Sequence, residues 1–268
     1  MQIIPLSEGA FTIDKTKRFV PFDIGKDDLQ QRPAGSLLVE VQPFAVVTTE
    51  DVLVIDTGLG FANDGVLQIH QNLRNAGIDP ANVTKVLMSH LHKDHAGGIA
   101  GDCVEGNRGE ARNEASTKVA GEALAPQQLS FPNATYYVQR RELEYAFEKG
   151  PSSYIPEELE CLRTSSQVVL LDGDGVLDGY IRYTITGAHC PWHQAFWIVD
   201  GGETVFFGGD VAPQLQQMKS RFVAEYDYDG KKAMELRQQW WELGRTEGWT
   251  FLFYHDVKTP FFAPSNSH

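Results

Sequence analysis

Four of six consecutive residues in "SHLHKDHAGG" (89–98) carry metal-binding groups: His90, His92, Asp94 and His95. Imidazole and carboxylate without thiolate suit Zn²⁺, with Fe, Mn and Co as other choices. His90 and His92 are two positions apart. In an extended or tightly turning chain both rings point the same way and can grip one ion. Asp94 and His95 follow, where the chain turns into the small residues of "AGG", and would face a neighbouring ion. Similar groups close other segments: His189 after "IRYTIT", Asp210 after "VFFGG", His255 after "FLFY" and Asp56 after "LVI". Each polar residue follows an apolar run. That places it at the C-terminal end of a buried strand, where sites of layered α/β proteins collect.

The elements that must position these groups are short apolar runs bounded by turn residues. "SLLVEVQPFAVVTT" (36–49) and "DVLVIDTG" (51–58) read as consecutive strands, and "KVLMSH" (85–90) as another. Between them, residues 64–77 carry Val66, Leu67, Ile69 and Leu73 at near-helical spacing, with Gly77 as the stop. "ATYYVQ" (134–139) reads as a strand and 140–150 as a helix ending at Gly150. Residues 167–189 give two strands around "DGDG", and 194–210 a hairpin. Residues 229–249 hold a helix with a Leu/Trp face, and 250–256 the closing strand. There is no repeat and no Pro/Ser-rich linker, so residues 1–268 read as a single domain. The unpatterned stretch at 101–130 is either a lid-like insert or disordered. Residues 15–35 read either as a segment that wraps a partner in a homodimer or as a surface loop.

Composition narrows the classes. The chain has 268 residues and a formal charge of −13, with 42% hydrophobic content. It can bury a sizeable core, and it lacks the basic footprint that nucleic acid or an anionic membrane surface requires. Three widely spaced cysteines, Cys103, Cys161 and Cys190, do not form a disulfide framework. No signal peptide is visible at "MQIIPLSEGAF", and no apolar run approaches the ~18 residues of a membrane span. A cytoplasmic protein is expected.

The order D-T-G, H-x-H-x-D-H-x-G-G, G-x-H, G-G-D, H-D, running from about residue 36 to 256, resembles the metallo-β-lactamase superfamily. The resemblance implies an α/β fold, a four-layer αββα sandwich, with a dinuclear site along the edge between two sheets. By the family's motif, His90, His92 and His189 would hold one metal, and Asp94, His95 and His255 the other. Asp210 would bridge them. Asp56 would orient the motif loop through hydrogen bonds, and His193 would support the site without binding metal. Two such ions share a water and lower its pKa, so hydrolysis is the reaction class. No G-x-S-x-G elbow is present, in agreement with metal-activated water. Asp94 or Asp210 would carry the proton.

Within the superfamily, "HLHKDHAGG", "FPNATYYVQRRELEYA" and "GGDVAP…YDYD…GWTFLFYHD" look most like quorum-quenching lactonases and their aryl-ester and organophosphate hydrolase relatives. The substrate expected is a neutral ester or lactone, including N-acyl-homoserine lactones. Alternatives are an aryl-ester, phosphotriester or thioester hydrolase, or a metal-bound sensor with little turnover. One departure stands out. Those lactonases carry a tyrosine shortly after the bridging aspartate, and "VAPQLQQM" has none. Tyr226, Tyr228 or Tyr136 would have to replace it. Of the other side chains, His70 and His268 are expected in solvent and Cys190 as a buried structural thiol. Lys93 is expected to point outward, and the motif glycines to permit a tight turn.

Overall fold

The computed structural model describes residues 1–101 and 128–264. Most of the expected insert, together with Cys103 and His268, lies outside the described residues. Its described ends are paired: Ala100 bridges Leu129, and Gly101 N donates to Gln128 O at 2.8 Å.

Two six-stranded sheets form the body. The first runs, in spatial order, Gln2–Pro5, Phe44–Val47, Val52–Ile55, Lys85–Leu87, Thr135–Gln139 and Val168–Leu171. From Val52–Ile55 onward its strands are parallel. The second runs Gly175–Leu177, Ile181–Ile185, Gln194–Asp200, Glu203–Phe207, Thr250–Leu252 and Phe261–Phe262. Only its Glu203–Phe207 and Thr250–Leu252 pair is parallel.

Period-two alternation stacks the layers. Leu53 and Ile55 of the first sheet, with Phe196 and Ile198 of the second, share one core between the sheets. Val54 faces the other way, into a core completed by Leu73, Leu143 and Leu162. These belong to the helices Gln68–Asn75, Arg140–Lys149 and Pro156–Thr164. On the far face, Trp197 and Phe206 pack on Trp240 of the helix Gly230–Glu247. The result is helix, sheet, sheet, helix. Among the described residues no helix is long and apolar enough to cross a membrane.

Several elements differ from expectation. Residues 36–49 are two strands. Pro43 has no N–H for a ladder, and around it the chain passes from Leu37–Val41, in a separate sheet with Gly9–Ile13 and Phe19–Pro21, to Phe44–Val47. The helix expected from residue 64 begins at Gln68, because Asp64 (φ 50°) and Gly65 (φ 76°) form a left-handed two-residue hairpin turn between Ala62–Asn63 and Val66–Leu67. "DGDG" does not join two paired strands. It carries the chain from the last strand of the first sheet to the first strand of the second, and 167–189 hold three strands.

Candidate metal centre

Asp56 ends the strand Val52–Ile55 in a left-handed conformation (φ 55°), which costs a non-glycine residue energy and is found where a side chain must be aimed. Its buried carboxylate accepts from Ser89 N and Ser89 Oγ, each at 2.7 Å, and lies 2.8 Å from His95 Nδ1. One side chain thereby holds both ends of the motif loop. The short helix Lys93–Ala96 then packs against 57–60: Thr57 N donates to His95 O at 2.6 Å and Gly97 N to Gly58 O at 2.8 Å. This contact explains the glycines differently from the expected turn. Gly97 has an ordinary helical φ of −63°. A Cβ there would stand 2.2 Å from Leu59 O, and one on Gly98 2.2 Å from Thr57 O. Close backbone approach is what these positions require.

Every ligand candidate named from the sequence falls into one of two groups whose donor atoms lie within 4.8 Å of one another. These are His90, His92, His189 and Asp210, and Asp94, His95, Asp210 and His255. Asp210 belongs to both. Its Oδ1 is 3.0 Å from His95 Nε2 and 3.1 Å from His255 Nε2, while Oδ2 is 3.2 Å from His189 Nε2. Each oxygen faces one group. Asp94 Oδ2 stands farther off, 3.5 Å from His255 Nε2 and 3.7 Å from His95 Nε2.

The ring nitrogens turned away from the cluster are anchored. His189 Nδ1 is 2.8 Å from Asp227 Oδ1, His255 Nδ1 2.6 Å from Glu40 O, and His90 Nδ1 3.0 Å from Ser89 Oγ. Such partners fix ring orientation and the tautomer that leaves the other nitrogen available to a metal. Among the described residues, His90 Nε2, His95 Nε2 and Asp210 Oδ1 are buried without a hydrogen bond. Buried polar atoms are seldom left so. Acceptors converging on one spot with no donor fit divalent cations.

The electrostatics agree with that fit. Burial and the neighbouring imidazoles of His95 and His92 hold the His90 pKa well below the usual imidazole range; burial and His189 do the same for His92. Burial pulls His189 and His255 down as well, but the carboxylates around them together outweigh it, Asp210 and Asp227 at His189 and Asp210 and Asp94 at His255, and both are raised. Burial pushes Asp210 up, yet the imidazoles of His255, His95 and His189 hold it well below the usual carboxylate range.

His193 is buried outside both groups. Its Nδ1 is 3.0 Å from Thr186 Oγ1, and its Nε2 accepts from Asp210 N at 3.2 Å. His70 departs from expectation: it is half-buried, its ring 5.1 Å from Phe131. Lys93 is half-buried too, its ammonium 5.9 Å from the Phe19 ring. Cys190 is buried, with Sγ 3.4 Å from Glu142 Oε2. Tyr136 is fully buried beneath Ser130 and Phe131, away from the cluster. Tyr226 and Tyr228 are exposed and border a cavity of about 310 Å³ that His92 and His189 also line.

Sequence reasoning missed Asp227, Glu142, Tyr254 and Arg237. Glu142 accepts from Leu91 N at 3.0 Å inside the motif loop. Tyr254 stacks on His95 at 3.9 Å and donates to Asp94 O at 2.6 Å. Arg237 is wholly buried and donates to Val211 O, next to Asp210, and to Phe222 O. Only Tyr254 and Asp227 had a signal, as neighbours of His255 and within "YDYD".

Comparison with known proteins follows the same lines. An N-acyl homoserine lactonase, AttM, of Azorhizobium caulinodans is 33% identical over 129 residues, 46% of this chain and 38% of that protein. The matched stretch thus spans under half of that relative's length. A probable metal-dependent hydrolase from Staphylococcus aureus superposes with a TM-score of 0.71 at 20% identity, covering 100% of this chain and 94% of that one. AidC, a dizinc quorum-quenching lactonase solved with its product N-hexanoyl-L-homoserine, superposes with a TM-score of 0.66 at 16% identity, covering 97% and 88%. The model of the metallo-beta-lactamase superfamily matches residues 39–246, from the strand Leu37–Val41 into the helix Gly230–Glu247. The chain belongs to the metallo-beta-lactamase superfamily.

Proposed function

We propose that the chain is a dinuclear metal hydrolase that opens a lactone or cleaves a carboxylic ester. His90, His92 and His189 would hold one ion and Asp94, His95 and His255 the other, with Asp210 shared. Zinc is the first choice for this all-imidazole and carboxylate set. The observation that carries the reading is Asp210, with one oxygen toward each group. Bound ions supply a water acidic enough to attack at neutral pH and draw charge from the substrate carbonyl.

The chain's own residues divide the remaining work. The two oxygens of Asp210 lie 3.0–3.2 Å from imidazole nitrogens of the two groups, so it is assigned the shared ligand rather than the proton. Asp94 Oδ2 is less engaged, at 3.5 and 3.7 Å, and is assigned the proton: it takes one from the attacking water and returns it to the leaving oxygen. Cys190 does not compete as a nucleophile, because burial and the Glu142 carboxylate push its thiol well above the usual range. A buried thiol persists in a reducing cytoplasm, the compartment we assign. The lactonase activity named for AttM and the product bound to AidC support the choice of bond.

The test is metal analysis with a substrate panel. The purified chain should contain about two divalent ions. It should hydrolyse a homoserine lactone or aryl acetate, and a chelator should abolish turnover until metal is restored. A metal-loaded protein inert toward lactones, aryl esters, thioesters and phosphotriesters would instead be a binding protein.

A further inference from the structure

The cavity beside the cluster has a character of its own. At about 310 Å³ it holds the volume of only about ten waters and sits at the lower end of ligand pockets, which run from about 300 to 1,000 Å³. His92 and His189 form one wall. Lys17, Lys149, Tyr145, Tyr154, Tyr226 and Tyr228 form much of the rest. Among the described residues no Leu, Ile, Val, Phe or Met lines it, so a long alkyl chain finds no aliphatic wall.

Two cations face this space in a chain of formal charge −13. The carboxylate among the lining residues, Asp227, is already engaged with His189 Nδ1 at 2.8 Å. Lys17 is aimed by its backbone. Thr16 N donates to Asp14 Oδ1 at 2.8 Å and Lys17 N to Asp14 O at 2.9 Å, closing a turn that holds Lys17 at φ 58°. Its ammonium donates to Ser153 Oγ, and Ser153 O accepts from Lys93 N of the motif at 2.8 Å. Lys149 lies 5.1 Å from the Tyr145 ring. Tyr145 is 6.1 Å from Tyr154, and Tyr154 is 4.8 Å from His92. One cation is thus tied to the motif loop, and the other connects to it through two aromatic rings. Among the described residues neither ammonium is paired with a carboxylate.

We propose that this cavity binds a carboxylate carried on the substrate, with Lys17 as its principal partner and Lys149 as the second, so that the enzyme favours short anionic esters or lactones over neutral ones. The proposal rests on the hydrolase reading above and replaces the neutral substrate expected from the sequence. Tyr226 and Tyr228 supply hydroxyls and ring faces for a short polar chain rather than a greasy channel.

The experiment compares p-nitrophenyl hemiglutarate with p-nitrophenyl butyrate on the metal-loaded full chain. The ratio of kcat/KM, anionic over neutral, should be about tenfold above one, a difference of about 1.4 kcal/mol, and should shrink as salt screens the charges. Lys17→Arg should keep the ratio and Lys17→Glu should reverse it. All three side chains meet the same backbone strain at φ 58°, so a change in the ratio does not come from the turn. A wild-type ratio near one, or a ratio unmoved by Lys17→Glu, overturns the proposal while leaving hydrolysis intact. If neither ester is cleaved, the hydrolase reading is what fails. The pocket is then judged by calorimetric titration with glutarate: a Kd weakened about tenfold by Lys17→Glu supports it, and equal binding or none overturns it.

Discussion

The strand Lys85–Leu87 has a polar cluster at each end, half-buried at its start and buried past its far end, and the two are built on opposite rules. At its start, Lys85 Nζ is 2.6 Å from Asp51 Oδ2 and 3.2 Å from Asp178. Thr84 Oγ1 donates to Asp51 Oδ1 at 2.7 Å, and Tyr180 OH donates to Asp51 Oδ2. Donors and acceptors cancel within the protein. Past its other end, His90, His95 and Asp210 each leave a buried atom without a hydrogen bond. A closed network ties strands together. An open one is costly unless something completes it, and the proposed function assigns that part to a cation. Charge alone does not tell a site from a brace; what sets this end apart is that its unpaired atoms belong to imidazoles and a carboxylate gathered within 4.8 Å of one another in each group.

The sharpest way to break this contrast is Asp210→Ala. Both groups lose their shared carboxylate, so metal content should fall from about two ions to about one or fewer. kcat/KM should drop on the order of a thousandfold. Elemental analysis and turnover on one preparation check both. Full metal content with near-normal turnover would end the two-group assignment.

Lys85→Met is the matching change at the closed end. It strands the Asp51 carboxylate, which keeps Thr84 and Tyr180, and should cost about 1–3 kcal/mol of stability. At about 2–4 °C per kcal/mol that is a fall in Tm of several degrees, with metal content unchanged. The two ends also part on pH. Burial raises Asp51, but hydrogen bonds from Lys85, Tyr180 and Thr84 outweigh it and its pKa is lowered. Its contribution is therefore present above the ordinary carboxylate value of 3.8 and is lost only as pH falls through the lowered one. Burial lowers Lys85, but Asp51 and Asp178 leave it raised. That contribution is complete below 10.5 and is lost as pH rises through the raised value. The closed end is indifferent to pH between 6 and 8 (about neutral, where neither group titrates). At the open end His189 and His255 are raised above 6.5. Protons compete there for the nitrogens that metal needs, so metal affinity should weaken as pH drops from about 8 to about 6. Chelator competition across that range, set beside thermal melts of Lys85→Met and wild type, separates the two behaviours.

Much of the open end was legible because ligands punctuate apolar runs. His189, Asp210 and His255 each follow a hydrophobic strand, and a buried strand ending in an imidazole or carboxylate has few other uses. Their supports were not legible. Asp227 reaches His189 across 38 positions, and Glu40 O reaches His255 across 215. No spacing rule spans such gaps. Glu142 sits in a helix whose Glu-rich sequence reads as a solvated face, yet its carboxylate is buried under Leu91 and Tyr154. In the fold, the central strands were legible as short apolar runs bounded by turn residues. The separate sheet of Gly9–Ile13, Phe19–Pro21 and Leu37–Val41 was hidden, because Leu37–Val41 runs into Phe44–Val47 as one apolar stretch and only Pro43 marks the change of sheet. The helix Pro156–Thr164 carries no clear periodic signal, because its buried residues, Leu159, Cys161 and Leu162, crowd within four positions instead of recurring at i, i+3, i+4 and i+7.

The smallest expected effect tests whether a closed contact can matter within the open end. Tyr254 does two things there: its ring stacks on His95 at 3.9 Å and 19°, and its hydroxyl donates to Asp94 O at 2.6 Å. Tyr254→Phe keeps the stack and removes one hydrogen bond, a loss of about 1 kcal/mol. Burial raises the Tyr254 pKa well above the usual phenol value, so the hydroxyl stays a donor throughout the working range and its removal should not change the shape of a pH–rate profile. Asp94 is the residue assigned the proton, so a freed carbonyl loosens the carboxylate on the same residue. kcat should fall a few-fold, by less than the tenfold that about 1.4 kcal/mol would give, while KM and metal content hold. A fall in metal content with no change in kcat would show that the hydroxyl braces the His95 group rather than Asp94, and would move Tyr254 from the chemistry to the scaffold.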